Sequence, residues 1–125
     1  MTRLEHINMT VRDPDGVAAA LCDVLGWRVR WSGAALGDGR SVHVGDDASY
    51  VALYRPPGAI TDPASTYGTH GAMNHLGVVV DDLDAAERAV VAKGYAPRSH
   101  ADYEPGRRFY FDGPEGIEVE VVSYT

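Results

Sequence analysis

The chain repeats itself, and that repeat limits the folds open to it more than any other feature. His6 stands seven residues before Asp13, and His75 seven before Asp82, so both pairs recur at an offset of 69. Gly26 and Gly94, each closing an apolar helical pattern, are 68 apart. An internal repeat of this size means two copies of one supersecondary unit.

In the first copy, residues 4–11 alternate, with Ile7, Met9 and Val11 on one face and His6, Asn8 and Thr10 on the other. Alternation of this kind predicts a strand with one apolar face. Asp13 and Pro14 then open a helix whose stripe is Val17, Ala20, Leu21, Val24 and Leu25, with Gly26 as its stop. Strands are predicted at 27–31, 41–44 and 50–55, with a turn-rich loop at 33–39. The second copy has a strand at 74–80 and a helix capped by Asp81 or Asp82 and carrying Leu83, Ala86, Ala89 and Val90. A strand at 95–98, a polar loop over 97–100 and a hairpin over 107–121 complete it. The expected fold class is α+β, two βαβββ modules over residues 1–57 and 72–125, joined by a Pro- and Gly-rich linker at 58–71.

Charge narrows the function. Eleven basic residues stand against 18 acidic ones, a net −7, which speaks against a nucleic-acid or anionic membrane surface. Cys22 is the sole cysteine, so no internal disulfide forms, and its helical setting predicts a packed core thiol. No apolar run is long enough to span a membrane, and the first residues lack a signal peptide's apolar region, so a cytoplasmic protein is expected.

In the hairpin, Ile117, Val119 and Val121 alternate with Glu118 and Glu120, which share the opposite face. Two carboxylates there need either water or a cation. Each copy also places a histidine, His6 or His75, on the face of its first strand away from the aliphatic residues. Two neutral imidazoles and one carboxylate, Glu120, with positions left open, suit a divalent metal such as Fe(II), with Mn, Ni or Zn as alternatives.

Together, Leu4-Glu5-His6-Ile7, Leu25-Gly26-Trp27, Asn74-His75-Leu76-Gly77, Val80-Asp81-Asp82-Leu83-Asp84 and the Phe109–Glu120 hairpin resemble the vicinal oxygen chelate superfamily. That superfamily includes glyoxalase I, fosfomycin-resistance enzymes, bleomycin-binding proteins and type I extradiol dioxygenases. The resemblance implies paired modules that curl into a cupped mixed sheet, with metal ligands at His6, His75 and Glu120. It also implies a homodimer. Glyoxalase-like members carry a fourth ligand on the last strand of the first module, where this chain has Ala52, which cannot ligate.

The remaining triad resembles the extradiol dioxygenases, as does the run of Phe109, Tyr110, Pro114, Gly116, Val119 and Glu120. The resemblance therefore implies Fe(II)-dependent cleavage of a small catechol by O2, with L-DOPA or another carboxylate-bearing catechol as substrate. Tyr110 would lie beside the substrate, Arg108 on the same face would hold a substrate carboxylate, and Tyr50 is a second substrate contact. The larger extradiol enzymes carry an acid/base histidine near positions 50–54; here His70 is the expected substitute, ahead of His43 and His100. Two other readings stay open: a metal-dependent lyase, isomerase or transferase, and a metal-free protein that sequesters a drug.

Overall fold

The computed structural model describes residues 1–125, the side chain of Leu36 excepted. The chain forms two compact units, Met1–Asp62 and Pro63–Thr125. Each holds one α-helix and one four-stranded mixed sheet, which makes the fold α+β with two βαβββ modules.

The first unit runs β1 (His6–Thr10), α1 (Pro14–Leu25), β2 (Arg28–Ala34), β3 (Arg40–Gly45) and β4 (Tyr50–Arg55). Its strand order is β1-β4-β3-β2, with β1 parallel to β4 and the other pairs antiparallel. The helix begins where the chain's chemistry dictates. The Asp13 carboxylate accepts from the Gly16 amide at 3.1 Å, and Pro14 fills the first turn, where no amide is needed. It stops at Gly26, whose φ of 72° is left-handed, a conformation that strains an L side chain even though nothing stands within 4 Å of where its Cβ would be. Val17, Ala18, Leu21 and Val24 are buried with Val42, Val44, Val51 and Leu53 of β3 and β4. Ala18 takes the deep position expected of Ala20, and Cys22 is half-buried rather than enclosed.

The second unit runs β5 (Leu76–Val79), α2 (Leu83–Ala92), β6 (Arg98–Tyr103), β7 (Gly106–Asp112) and β8 (Glu118–Ser123), in the order β5-β8-β7-β6. Asp82, not Asp81, is the cap of α2, accepting from the Ala85 amide at 3.0 Å. Phe109, Phe111, Val119 and Val121 form the core with Leu83 and Val90 of the helix. Every one of them is an odd-numbered strand position or a helix-stripe position, so the even positions of β7 and β8 turn to the opposite face.

Three expectations about strand limits need correction. β2 extends to Ala34, into the stretch read as a loop, and β6 lies at Arg98–Tyr103 rather than 95–98, over residues read as a polar loop. Both are outer strands with a register shift, between Val29 and Trp31 in β2 and between Arg98 and Ala101 in β6, where Ser99 has a φ of 56°. A bulge breaks the two-residue period from which a strand is recognised. β5 is shorter than expected and leaves His75 one residue ahead of it.

Candidate functional site

Register decides which side chains meet. In the first unit Asn8, two residues after His6, is the partner of Ala52. In the second, Gly77, two residues after His75, is the partner of Glu120. Ala52 and Glu120 thus hold corresponding places in the two sheets, and their antiparallel partners, His43 and Tyr110, correspond as well.

In the second unit the face opposite α2 gathers charge around Glu120. His75 Nε2 is 2.9 Å from Glu120 Oε2, and the Tyr110 hydroxyl donates to the same oxygen at 3.1 Å. Arg108 donates from Nη1 to Oε1 at 2.9 Å, and its guanidinium lies 4.6 Å from the Tyr103 ring centroid. The rings of His75 and Tyr110 meet edge to face at 5.7 Å. Burial and the bond to Glu120 push the Tyr110 phenol above its ordinary pKa.

Beside this group, Glu118 accepts from Arg98 at 2.7 Å and from the Tyr67 hydroxyl, and Arg98 also donates to Asp112 at 2.8 Å. Burial alone would raise the Glu118 carboxyl, but the hydrogen bonds from Tyr67 and Arg98 and the charges of Arg98 and His75 outweigh it, leaving the pKa lowered. The bond to Glu118 leads in pushing the Tyr67 phenol up to about 12, and those to Asp112 and Glu118 raise Arg98. The face is therefore not a solvated acidic one. Glu118 and Glu120 are 17% and 12% exposed, and the cations expected to balance two carboxylates are two arginines of the same unit.

The alternation places Glu118 beside Glu120 on this face, but the sequence does not reveal Arg98 and Tyr67 as members of the group. Arg98 lies at a bulge and Tyr67 in the stretch between β4 and β5, so periodicity could not find either. Arg108, expected to hold a substrate carboxylate, holds that of Glu120 instead.

The other candidates have surroundings of their own within their units. In the first unit His6 pairs with Glu5 at 2.8 Å and stacks on Tyr50 at 4.8 Å. His43 stacks on Tyr50 at 4.5 Å, and Arg30 lies 4.6 Å from the same ring. Burial, then the nearby His6 and Arg30, lower the His43 pKa. His70 is exposed in a turn. His100 pairs with Glu87 of α2 and stacks on Phe109, which puts it on the helix side of its sheet, away from Tyr110.

Neither unit gathers three or more His, Cys, Asp or Glu side chains into a metal-holding group among the described residues. The second unit does bring together one imidazole nitrogen and one carboxylate oxygen, with the other oxygen of Glu120 anchored by Arg108. That arrangement fits a metal's nitrogen ligand and a carboxylate binding through one oxygen.

The comparisons agree with the architecture. No curated protein matches the chain. A glyoxylase/bleomycin resistance protein/dioxygenase domain from Frankia sp. EAN1pec superposes with a TM-score of 0.81 at 20% identity, over 98% of this chain and 92% of that one. TnmS3, an antibiotic binding protein from Streptomyces sp. CB03234, gives 0.74 at 15% identity, over 100% and 98%. The fosfomycin resistance protein FosX from Listeria monocytogenes, complexed with Mn(II) and sulfate, gives 0.71 at 15%, over 100% and 94%. At these identities the likeness is one of fold, but a family model also matches residues 3–121, nearly the whole sequence. The chain belongs to the glyoxalase/bleomycin resistance protein/dioxygenase superfamily.

Proposed function

We propose that the protein is a metal-dependent enzyme for a small oxygen-bearing substrate, and that its reaction is extradiol cleavage of a catechol by O2. The observation that carries this reading is Ala52 in the place that corresponds to Glu120. With no carboxylate there, His75 and Glu120 are joined by a single further ligand. His6 is proposed for that role on the sequence repeat alone. Two histidines and one carboxylate would hold a divalent ion and leave it accessible to substrate. When bound, Fe(II) supplies the Lewis acidity and redox capacity that ring cleavage needs.

The chain's own residues have separable tasks. Arg108 donates to the far oxygen of Glu120, which leaves Oε2 toward His75 and Tyr110. Tyr110 carries a phenol that stays protonated well past neutral pH, a donor for a substrate oxygen in place of Glu120. An acidic catechol would compete with Glu120 for Arg108, and Tyr50 is a further proposed substrate contact. His70, exposed five residues ahead of His75, is the proposed acid/base.

A second reading has its own support. Both oxygens of Glu120 are satisfied by protein donors, Arg108, Tyr110 and His75, as a metal-free binding site would require. TnmS3, which shares the fold, is an antibiotic binding protein. Anaerobic loading with Fe(II), Mn(II), Ni(II) or Zn(II), followed by metal analysis and an oxygen electrode with a catechol panel, separates the cases. Iron uptake with O2 consumption supports ring cleavage. Metal uptake without O2 consumption indicates a lyase, isomerase or transferase, and absence of any metal uptake indicates sequestration.

A further inference from the structure

We propose that Glu118 is a positioning residue for His75, accepting a hydrogen bond from the imidazole Nδ1–H so that the Nε2 lone pair is free for a metal held beside Glu120. The inference rests on the metal reading above. His75 Nδ1 is buried and has no hydrogen-bond partner among the described residues. Burying such a nitrogen unpaired is costly, so its surroundings have to be accounted for. Glu118 Oε1 stands 3.8 Å from it, too far for a hydrogen bond and close enough for an ion pair.

A neutral imidazole carries one proton, and the partner of one nitrogen decides the role of the other. Coordination through Nε2 requires the proton on Nδ1, the nitrogen that faces Glu118. The carboxylate is held in that place from two sides. Arg98 donates to Oε2 at 2.7 Å and is itself anchored by Asp112 at 2.8 Å, while Tyr67 donates to Oε1. A carboxylate is a better acceptor for a ring N–H than a neutral group. Were Glu118 only the partner of Arg98, its loss would change stability and leave the imidazole as it was.

The test uses the full chain with 15N-labelled histidine and Zn(II), which is diamagnetic. In the wild type, nitrogen shifts should show His75 protonated at Nδ1 and zinc-bound at Nε2. Glu118→Leu should weaken Zn(II) binding about 10- to 100-fold, the range for loss of a carboxylate behind a histidine ligand, and move the Nδ1 resonance. Glu118→Gln, which keeps a neutral acceptor, should retain Nδ1–H at a changed shift and bind Zn(II) more tightly than the leucine variant. If Glu118→Leu fails to fold, Glu118→Gln decides: Zn(II) affinity and nitrogen shifts identical to wild type overturn the role. The same identity in a folded leucine variant overturns it while the metal reading stands. A wild-type protein that takes up neither Zn(II) nor Fe(II) overturns both.

Discussion

Arg108 and Glu120 form a nearly buried ion pair, Nη1 to Oε1 at 2.9 Å, with the two side chains 11% and 12% exposed. They are diagonal rather than direct neighbours, since Arg108 is opposite Val122 and Tyr110 opposite Glu120. Removing one partner of such a pair strands the other's charge, which costs more than the pair itself contributes. Tyr110 and His75 still support Glu120, so Arg108→Ala should destabilise the protein by about 1–3 kcal/mol, below the upper range for a fully stranded charge. Urea unfolding checks this; a midpoint equal to wild type would show that the pair contributes nothing.

Metal binding should fail in His75→Ala, Glu120→Ala and His6→Ala, with circular dichroism unchanged. Ala52→Glu should move the preference toward metals that take four protein ligands. Atomic absorption on dialysed, reloaded protein measures all four, and normal loading of the three alanine variants would remove the assigned ligands.

Tyr110→Phe removes a hydroxyl that donates to Glu120 at 3.1 Å and leaves the ring edge on His75. If the hydroxyl serves the reacting oxygens, kcat should fall by roughly a hundredfold with little change in KM. Steady-state O2 uptake tests it, and a rise in KM alone would make Tyr110 a binding contact.

Two titrations follow from Tyr67 and Glu118. The Glu118 carboxyl is lowered from its ordinary 4.5, so its contribution to stability is complete above that pH and is lost as pH falls through the folded value. Glu118→Gln should therefore flatten the acid limb of a Tm-versus-pH curve below about 4.5. The Tyr67 phenol is raised to about 12, so the matching contribution holds below 10 and disappears between 10 and 12. In ultraviolet titration Tyr67 should ionise late, as should Tyr110, and Glu118→Gln should bring Tyr67 forward.

Each sheet, taken alone, ends in outer strands, and Trp31 on β2 and Val79 on β5 are exposed apolar residues on them. Outer strands with apolar side chains are commonly covered by a partner. A symmetric homodimer is the expected state, and light scattering at micromolar concentration reads it directly; a monomer mass would refute it.

The sequence alone determined the two modules, the cap at Asp13 and the faces of β7 and β8, and it narrowed the second cap to Asp81 or Asp82. These are local properties: helix capping acts within one turn, and side chains on a strand alternate whatever lies beside it. The parity of Arg108, Tyr110, Glu118 and Glu120 was legible for that reason. Their partners were not. That Ala52 corresponds to Glu120, that Arg108 takes Glu120, and that Arg98 and Tyr67 clamp Glu118 depend on inter-strand register, a bulge at 98–101 and the course of the chain ahead of β5. Register is set by which apolar faces can be buried together across the whole sheet, and only the folded unit decides that.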